Sequence, residues 1–334
     1  MKLPKSSRVS VLVSLSLAAV LLYLALRGID WHDVANTARR GHLDRFVPAL
    51  LVLSGSYFLR SLRWRILLSA ERRIPVLQVF WANMTGYLGN CFLPARAGEV
   101  IRSAFIARCA AIGISFVLAT ALTERMVDAL ALALIGALAS FGTSGLPAWL
   151  TGAVRAALVV GTLALAILGI ASRSERLLRG ALRRIALPAR VQASIDNVLR
   201  SFLLGLRALQ HRRRALPFVG LTAIIWLADA TSAMIMAWAM NFSLTLPQAL
   251  LLLVTLGLAS AAPSTPGYVG IYQFVAVTVL MPFGLTRDQA IVYIVAVQAE
   301  IYCITLFWGL LGLWQLRNGT TLPRNDSAGA CDVA

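Results

Sequence analysis

Charge is scarce in this chain of 334 residues. Only 13% of them are Asp, Glu, Lys or Arg, about half the share of roughly 25% that a soluble domain carries. Acids are the scarcer sign, fourteen against 31 basic residues, which leaves a formal net charge of +17. Histidine is nearly missing: His32, His42 and His211 all fall in segments that read as loops, so neither a Ser–His–acid set nor a buried zinc cluster can be assembled. Four cysteines, Cys91, Cys109, Cys303 and Cys331, show no C-x-x-C spacing, so no disulfide framework and no metal site is expected. A P-loop is missing, as is a G-x-G-x-x-G on a strand–helix unit. The expectation is no catalytic residue, no cofactor, no metal and no enzyme activity; any transport is passive, ion-coupled or driven by a substrate gradient.

Apolar runs fill the space that charge leaves. Hydrophobic residues make up 59% of the chain, and runs of about 18 or more read as membrane spans. Basic residues gather in the loops between those runs, which sets membrane orientation and argues against nucleic acid as the partner. Lys2, Lys5 and Arg8 precede the run Val9–Leu26, which is too long for a signal h-region and is followed by Leu26-Arg27-Gly28 rather than a small-residue cleavage site. It reads as a retained first span running outward. A second span starts near Phe46 and ends in Arg60, Arg63, Arg65, Arg72 and Arg73, a dense basic end assigned to the cytoplasm. Further spans are expected over Ile112–Ser140, Leu150–Ala171, Pro217–Met240 and Gln289–Leu316. Ser172–Leu216 holds eleven Arg against two acids, with apolar residues at helical spacing, and reads as basic amphipathic helices on the cytoplasmic leaflet. Residues 318–334 read as a disordered cytoplasmic tail after a membrane domain over 1–317.

Two stretches are apolar but too short to cross. Leu77–Pro94 and Gly98–Ala111 flank one break, and Leu250–Ala262 and Ile271–Pro282 flank another at Pro263–Gly270. Each reads as a hairpin that enters and leaves on one side, since non-helical backbone at membrane depth survives only inside protein or beside a wet cavity. Pro94-x-x-x-Gly98 matches Pro266-x-x-x-Gly270; Gln78 and Gln248 open the preceding stretches, and Glu124 and Glu300 lie in the following spans. With the hairpins on opposite sides, this is the pattern of an inverted repeat. The expected fold is all-α: a polytopic membrane bundle of about six spanning helices plus two re-entrant helical hairpins.

Five of the fourteen acids, Glu99, Glu124, Asp128, Asp229 and Glu300, fall in membrane-embedded segments. Left uncompensated they would cost on the order of 12–17 kcal/mol, so each is paired, neutral or facing water. Glu124 and Asp128 share a helix face at four apart; Arg125, three before Asp128, is expected to reach it, and Arg96 and Arg102 are the outside candidates for Glu124. One buried network is expected: Arg96, Glu99 and Arg102 from the first hairpin with Glu124, Arg125 and Asp128 from the next span. Arg suits bidentate binding of phosphate, and the segment Pro94-Ala-Arg-Ala-Gly98-Glu adds a close-approach glycine and a helix start. Gly98 with Pro266, Gly267, Gly270 and Gln273 of the second break completes the candidate substrate site, and Asp229 and Glu300 are candidates for proton uptake.

Arg63-Trp-Arg-Ile-Leu-Leu68, Asn90-Cys-Phe-Leu-Pro-Ala-Arg-Ala-Gly-Glu-Val-Ile-Arg102, Glu124-Arg-Met-Val-Asp128 and Pro263-Ser-Thr-Pro-Gly-Tyr-Val-Gly-Ile-Tyr-Gln273 resemble the lysylphosphatidylglycerol synthase transmembrane family of flippase-like proteins. The resemblance runs from about Arg60 to Leu316. In the last motif the family pattern more often reads Pro-Gly-Gly and ends in Glu, where Tyr268 and Gln273 stand here. The resemblance implies translocation of a phospholipid, glycolipid or isoprenoid lipid between leaflets of a bacterial inner membrane, with both termini cytoplasmic; the synthase activity in the family's name is not carried over. A secondary transporter of a small anionic solute, and an accessory subunit partnering a lipid-modifying enzyme or glycosyltransferase, are the alternative readings.

Overall fold

The computed structural model describes residues 41–92, 97–141, 151–152, 155–156, 158–159, 161–163, 212–260 and 268–317. The expected first span Val9–Leu26, most of Leu150–Ala171, the amphipathic stretch as far as residue 211, the break residues 93–96 and 261–267, and the tail 318–334 lie outside them.

Every described element is helical. In chain order they are α1 (Phe46–Leu68), α2 (Val76–Phe92), α3 (Ala97–Ala110), α4 (Ile114–Phe141), α5 (Arg212–Ala239), α6 (Leu246–Ala259), α7 (Ile271–Leu280) and α8 (Arg287–Arg317). Lengths alternate in the same way twice: a long helix, two short ones on either side of a break, then a long one. At 1.5 Å per residue the short helices α2, α3, α6 and α7 span only about 15–26 Å, less than the roughly 30 Å of a hydrocarbon core. Helices α5 and α8 are long and apolar enough to cross. The outward faces are studded with large apolar side chains, among them Leu51, Leu122, Leu138, Val219, Phe307 and Leu310. A soluble surface does not carry such a belt; a bilayer solvates it. The chain is a membrane protein.

The boundaries differ from expectation in two places. α5 is helical from its first described residue, Arg212, five residues before the expected start at Pro217. Arg is a good helix former, and Pro217 lies inside the helix, where its ring removes the ladder bond to Arg213. α6 begins at Leu246, four residues before the expected start, because Thr245 caps it: the Thr245 backbone N–H donates to Gln248 Oε1 at 2.9 Å. Such a cap fixes where the chain turns inward.

Helix contacts fall into matched sets. α1 packs along α5; α2 packs on α8 as α6 packs on α4. Within each quartet the first helix touches the second, the second the third and the third the fourth. The contact of α1 with α8 has no such counterpart of similar extent. Small residues permit the closest approaches. A Cβ on Gly309 of α8 would come within 2.7 Å of Leu88 Cβ on α2, and one on Gly312 within 3.0 Å of the Trp81 carbonyl.

The first hairpin is tighter still. A Cβ on Gly98 would lie 1.9 Å from the Gly86 carbonyl oxygen, and one on Gly89 3.0 Å from Gly98 Cα. α3 therefore folds back onto α2 main chain to main chain, and only glycine fits. Gly98→Ala is expected to cost at least about 3 kcal/mol, the top of the range for overpacking. Gly55→Ala, with open space around it, should gain about 0.5–1 kcal/mol of helix propensity. Thermal unfolding of the two variants in detergent checks the contrast.

Candidate functional site

Arg63 is the centre of the polar interior. It lies about one and a half turns from the C-terminal end of α1, has no solvent exposure, and faces α4 and α5. Its Nη1 reaches Asp128 Oδ1 at 2.5 Å, and its Nη2 donates to Asp128 Oδ2 and Glu124 Oε1, each at 2.9 Å. Nη1 also meets Thr222 Oγ1 of α5 at 3.2 Å, and the Phe218 ring lies 5.4 Å from the guanidinium carbon. Glu124 and Asp128, one turn apart on α4, are thereby bridged by one cation. This fork geometry is what a guanidinium provides and an ammonium does not.

Arg102 of α3 takes the other side of Glu124. Its Nη2 sits 3.2 Å from Glu124 Oε2 and 2.5 Å from Glu99 Oε2, one turn back on α3. Its Nη1 donates to Asn83 Oδ1 of α2 at 2.6 Å, and Asn83 Nδ2 donates onward to Ser61 Oγ of α1 at 3.0 Å. The Trp64 ring lies 4.4 Å beneath the guanidinium, and Trp64 Nε1 donates to Thr120 Oγ1 of α4 at 3.1 Å. Arg102 is 1% exposed. Arg125 pairs with Glu99 Oε1 at the network's rim, where their side chains are 34% and 19% exposed. Three arginines thus meet three carboxylates, and the described network is neutral.

A second ion pair joins α1 to α5. Arg60 binds Asp229 Oδ2, and Ser56 Oγ donates to Asp229 Oδ1 at 2.5 Å. Arg60 also lies 5.7 Å from the centre of the Trp226 ring. Asp229 is thus a paired carboxylate.

The expected network forms from Glu99, Arg102, Glu124, Arg125 and Asp128, with one correction to its wiring. Arg125 pairs with Glu99 across the α3–α4 seam, and Asp128 belongs to Arg63. Residues three apart on a helix point in neighbouring directions, so a partner on another helix directly in line wins. Arg96 lies in the break outside the described residues. Gly98 does not line the network but makes its hairpin possible. Arg60 and Arg63 were not foreseen here: their position at a basic helix end points to the cytoplasm, and in the structure both turn inward. Ser56, Arg60 and Arg63, at spacings of four and three, mark one face of α1 and are the signal that finds them.

At the second break, Pro266 and Gly267 lie outside the described residues. Gly270 caps α7 with φ +90°, a conformation that suits glycine. Gln273 has both ends of its amide occupied: Oε1 accepts from the Gly270 N–H at 2.7 Å and Nε2 donates to Gln298 Oε1 at 2.5 Å. It pins α7 to α8 much as Glu99 and Arg102 pin α3 to α4, without charge.

A family model described as the lysylphosphatidylglycerol synthase TM region matches residues 11–309. The chain belongs to this family. Tyr268, which the resemblance set where a glycine is more usual in the lysylphosphatidylglycerol synthase TM family, has a left-handed φ of +60°. Its ring stacks on Tyr272 with centroids 5.0 Å apart, a contact that offsets part of the roughly 1–2 kcal/mol such a backbone costs. The chain is also similar to glycosyltransferase AglD of Haloferax volcanii, 26% identical over 96% of this chain and 57% of that protein. It spans little more than half the length of that relative.

Two measurements test the network. Arg63→Met strands Asp128 and takes from Glu124 one of its two cations, and is expected to cost about 3–5 kcal/mol, whereas Arg125→Met at the rim should cost about 0–1 kcal/mol; thermal unfolding in detergent separates them. Because Glu124 is shared by Arg63 and Arg102, the effects of Arg102→Met and Glu124→Gln should fall short of their sum by about 0.5–3 kcal/mol. A double-mutant cycle reads this, and strict additivity would show that the two side chains act apart.

Proposed function

We propose that this chain is a lipid translocase that moves a phosphate-headed lipid between the leaflets of a bacterial inner membrane. The observation that carries the reading is the rim of the network. Arg125 is its only partly open cation among the described residues, it has a buried Nε without a partner, and its ion-pair partner is Glu99. A phosphate can take the place of Glu99 at Arg125 while Glu99 keeps Arg102. Arg63, whose Nε is likewise unpartnered, and Arg102 are held by carboxylates and closed off from the surface, so they keep the hairpin in place and do not meet the lipid. Arg96 in the adjacent break would add a second cation. Phosphate and guanidinium match in geometry as well as charge.

In this reading α1–α4 and α5–α8 are inverted repeats, and α2–α3 and α6–α7 are re-entrant hairpins entered from opposite sides. The matched helix contacts support it, as do the paired Pro-x-x-x-Gly breaks. A charged first hairpin and a neutral second one then offer the headgroup a strong and a weak site. Gly270 and Gln273 belong to the weak one, to which the sequence of the break adds Pro266 and Gly267. About six spans over residues 1–317 place both termini in the cytoplasm, with the basic stretch 172–216 on the inner leaflet. The family's name ties it to lipid chemistry; the reading gives this chain no bond-making step.

A second reading, an accessory role beside a glycosyltransferase acting on lipid-linked sugars, draws on the name of the Haloferax volcanii relative. Retained glycosyl transfer by a purified partner in the presence of Glu124→Gln would weigh against it. For translocation, the full chain is reconstituted into phosphatidylglycerol–phosphatidylethanolamine vesicles. Leaflet-selective quenching of labelled phosphatidylglycerol should show movement well above protein-free vesicles, falling at least about tenfold in Arg125→Gln, a loss of about 1.4 kcal/mol. Unchanged asymmetry across several phosphate headgroups would sink the proposal.

A further inference from the structure

One buried acid is left over from both ion-pair systems. Glu300 lies mid-way along α8 and is 3% exposed. Ser232 Oγ of α5 donates to its Oε1 at 2.6 Å, and among the described residues no cation lies within ion-pair distance of it. α2 and α7, which pack on α8, carry no charged residue. On α1, Arg60 is bound to Asp229. The charge that faces Glu300 is that of Asp229 itself, one turn before Ser232 on α5. Tyr293, two turns earlier on α8, spends its hydroxyl on the Ala233 carbonyl at 3.0 Å.

The first quartet shows what is missing. Aligning Gln78 with Gln248 places Ser232 one position from Arg63. Arg63 binds the carboxylate of α4; Ser232 binds the carboxylate of α8. A guanidinium in one half is a hydroxyl in the other. An ionised carboxylate in hydrocarbon needs more than one hydroxyl, and a second carboxylate beside it makes matters worse. A carboxylic acid suits the site as it stands: Oε1 accepts from Ser232 and the other oxygen carries hydrogen.

We propose that Glu300 is a proton-binding site, protonated at rest and emptied at one stage of the working cycle. Its O–H bond breaks heterolytically, the electron pair stays on the carboxylate and the proton passes to water. An ionised Glu300 then sets a second negative charge near Asp229, which loads the Arg60–Asp229 pair. Arg60 is 16% exposed and sits where α1 meets α5, so the proton biases the main seam between the two quartets. The coupling of this proton to lipid movement rests on the translocase reading; the proton binding itself does not.

Infrared spectroscopy of the full chain in phosphatidylcholine vesicles tests the binding. In mildly acidic buffer the wild type should show a protonated-carboxyl stretch that Glu300→Gln lacks, and the band should fade as the buffer is made alkaline. Identical spectra for the two proteins, or a band that persists through the whole titration, would overturn the proposal. Glu300→Gln preserves the neutral shape and the Ser232 bond, so it is expected to fold. The coupling is tested by lipid movement under an imposed pH difference. Wild-type rates should change severalfold when the gradient is reversed, and Glu300→Gln should move lipid equally in both directions. The same response in both proteins would refute coupling. No movement in either would refute the translocase reading and leave the infrared result to stand alone.

Discussion

The bundle is organised around a guanidinium that water does not reach. Arg63 holds Glu124 and Asp128 at once, and with them α4; through Thr222 it touches α5. Glu124 in turn holds Arg102, Arg102 holds Asn83 and Glu99, and Glu99 holds Arg125. The position of the first hairpin is therefore set from one point by a chain of charge-assisted bonds. In lipid this matters more than in water, since helices there gain nothing from hiding apolar surface from one another. Packing and polar contacts must specify the arrangement, and here both do so between the same helices.

Two quartets of similar layout have diverged in what they place inside. The first spends three arginines and three acids on its hairpin. The second ties α7 to α8 with two glutamines and leaves α8 an acid held by a serine. A bundle with the same fully charged core twice would carry a heavy desolvation cost in each half. The division leaves one half with a core of paired charges and the other with a neutral tie and a single acid that has no cation beside it among the described residues. The sharing of labour runs along α1 and α5, the helices that also carry the Arg60–Asp229 pair.

Much of the layout was legible from the sequence because membranes impose simple rules. Apolar length separated α5 and α8 from the short pieces, and glycine and proline marked the breaks. The cost of buried charge brought Glu99, Arg102, Glu124, Arg125 and Asp128 together before any coordinates. Arg63 escaped because a basic helix end reads as cytoplasmic, and only the i, i+4, i+7 face shared with Ser56 and Arg60 argues otherwise. The pairing of Arg125 with Glu99 escaped as well, since sequence spacing reports neighbours on one helix but not the direction from which another helix approaches. Thr245 as the start of α6 depended on a cap whose strength lies in three residues, not in hydropathy.

The contact between Gly98 and Gly86 has a mechanical consequence. Two backbones in van der Waals contact, with no side chain between them, cannot slide or tilt against each other without colliding. α2 and α3 therefore form a single stiff wedge, whose outer contacts with α1, α4 and α8 are left to side chains.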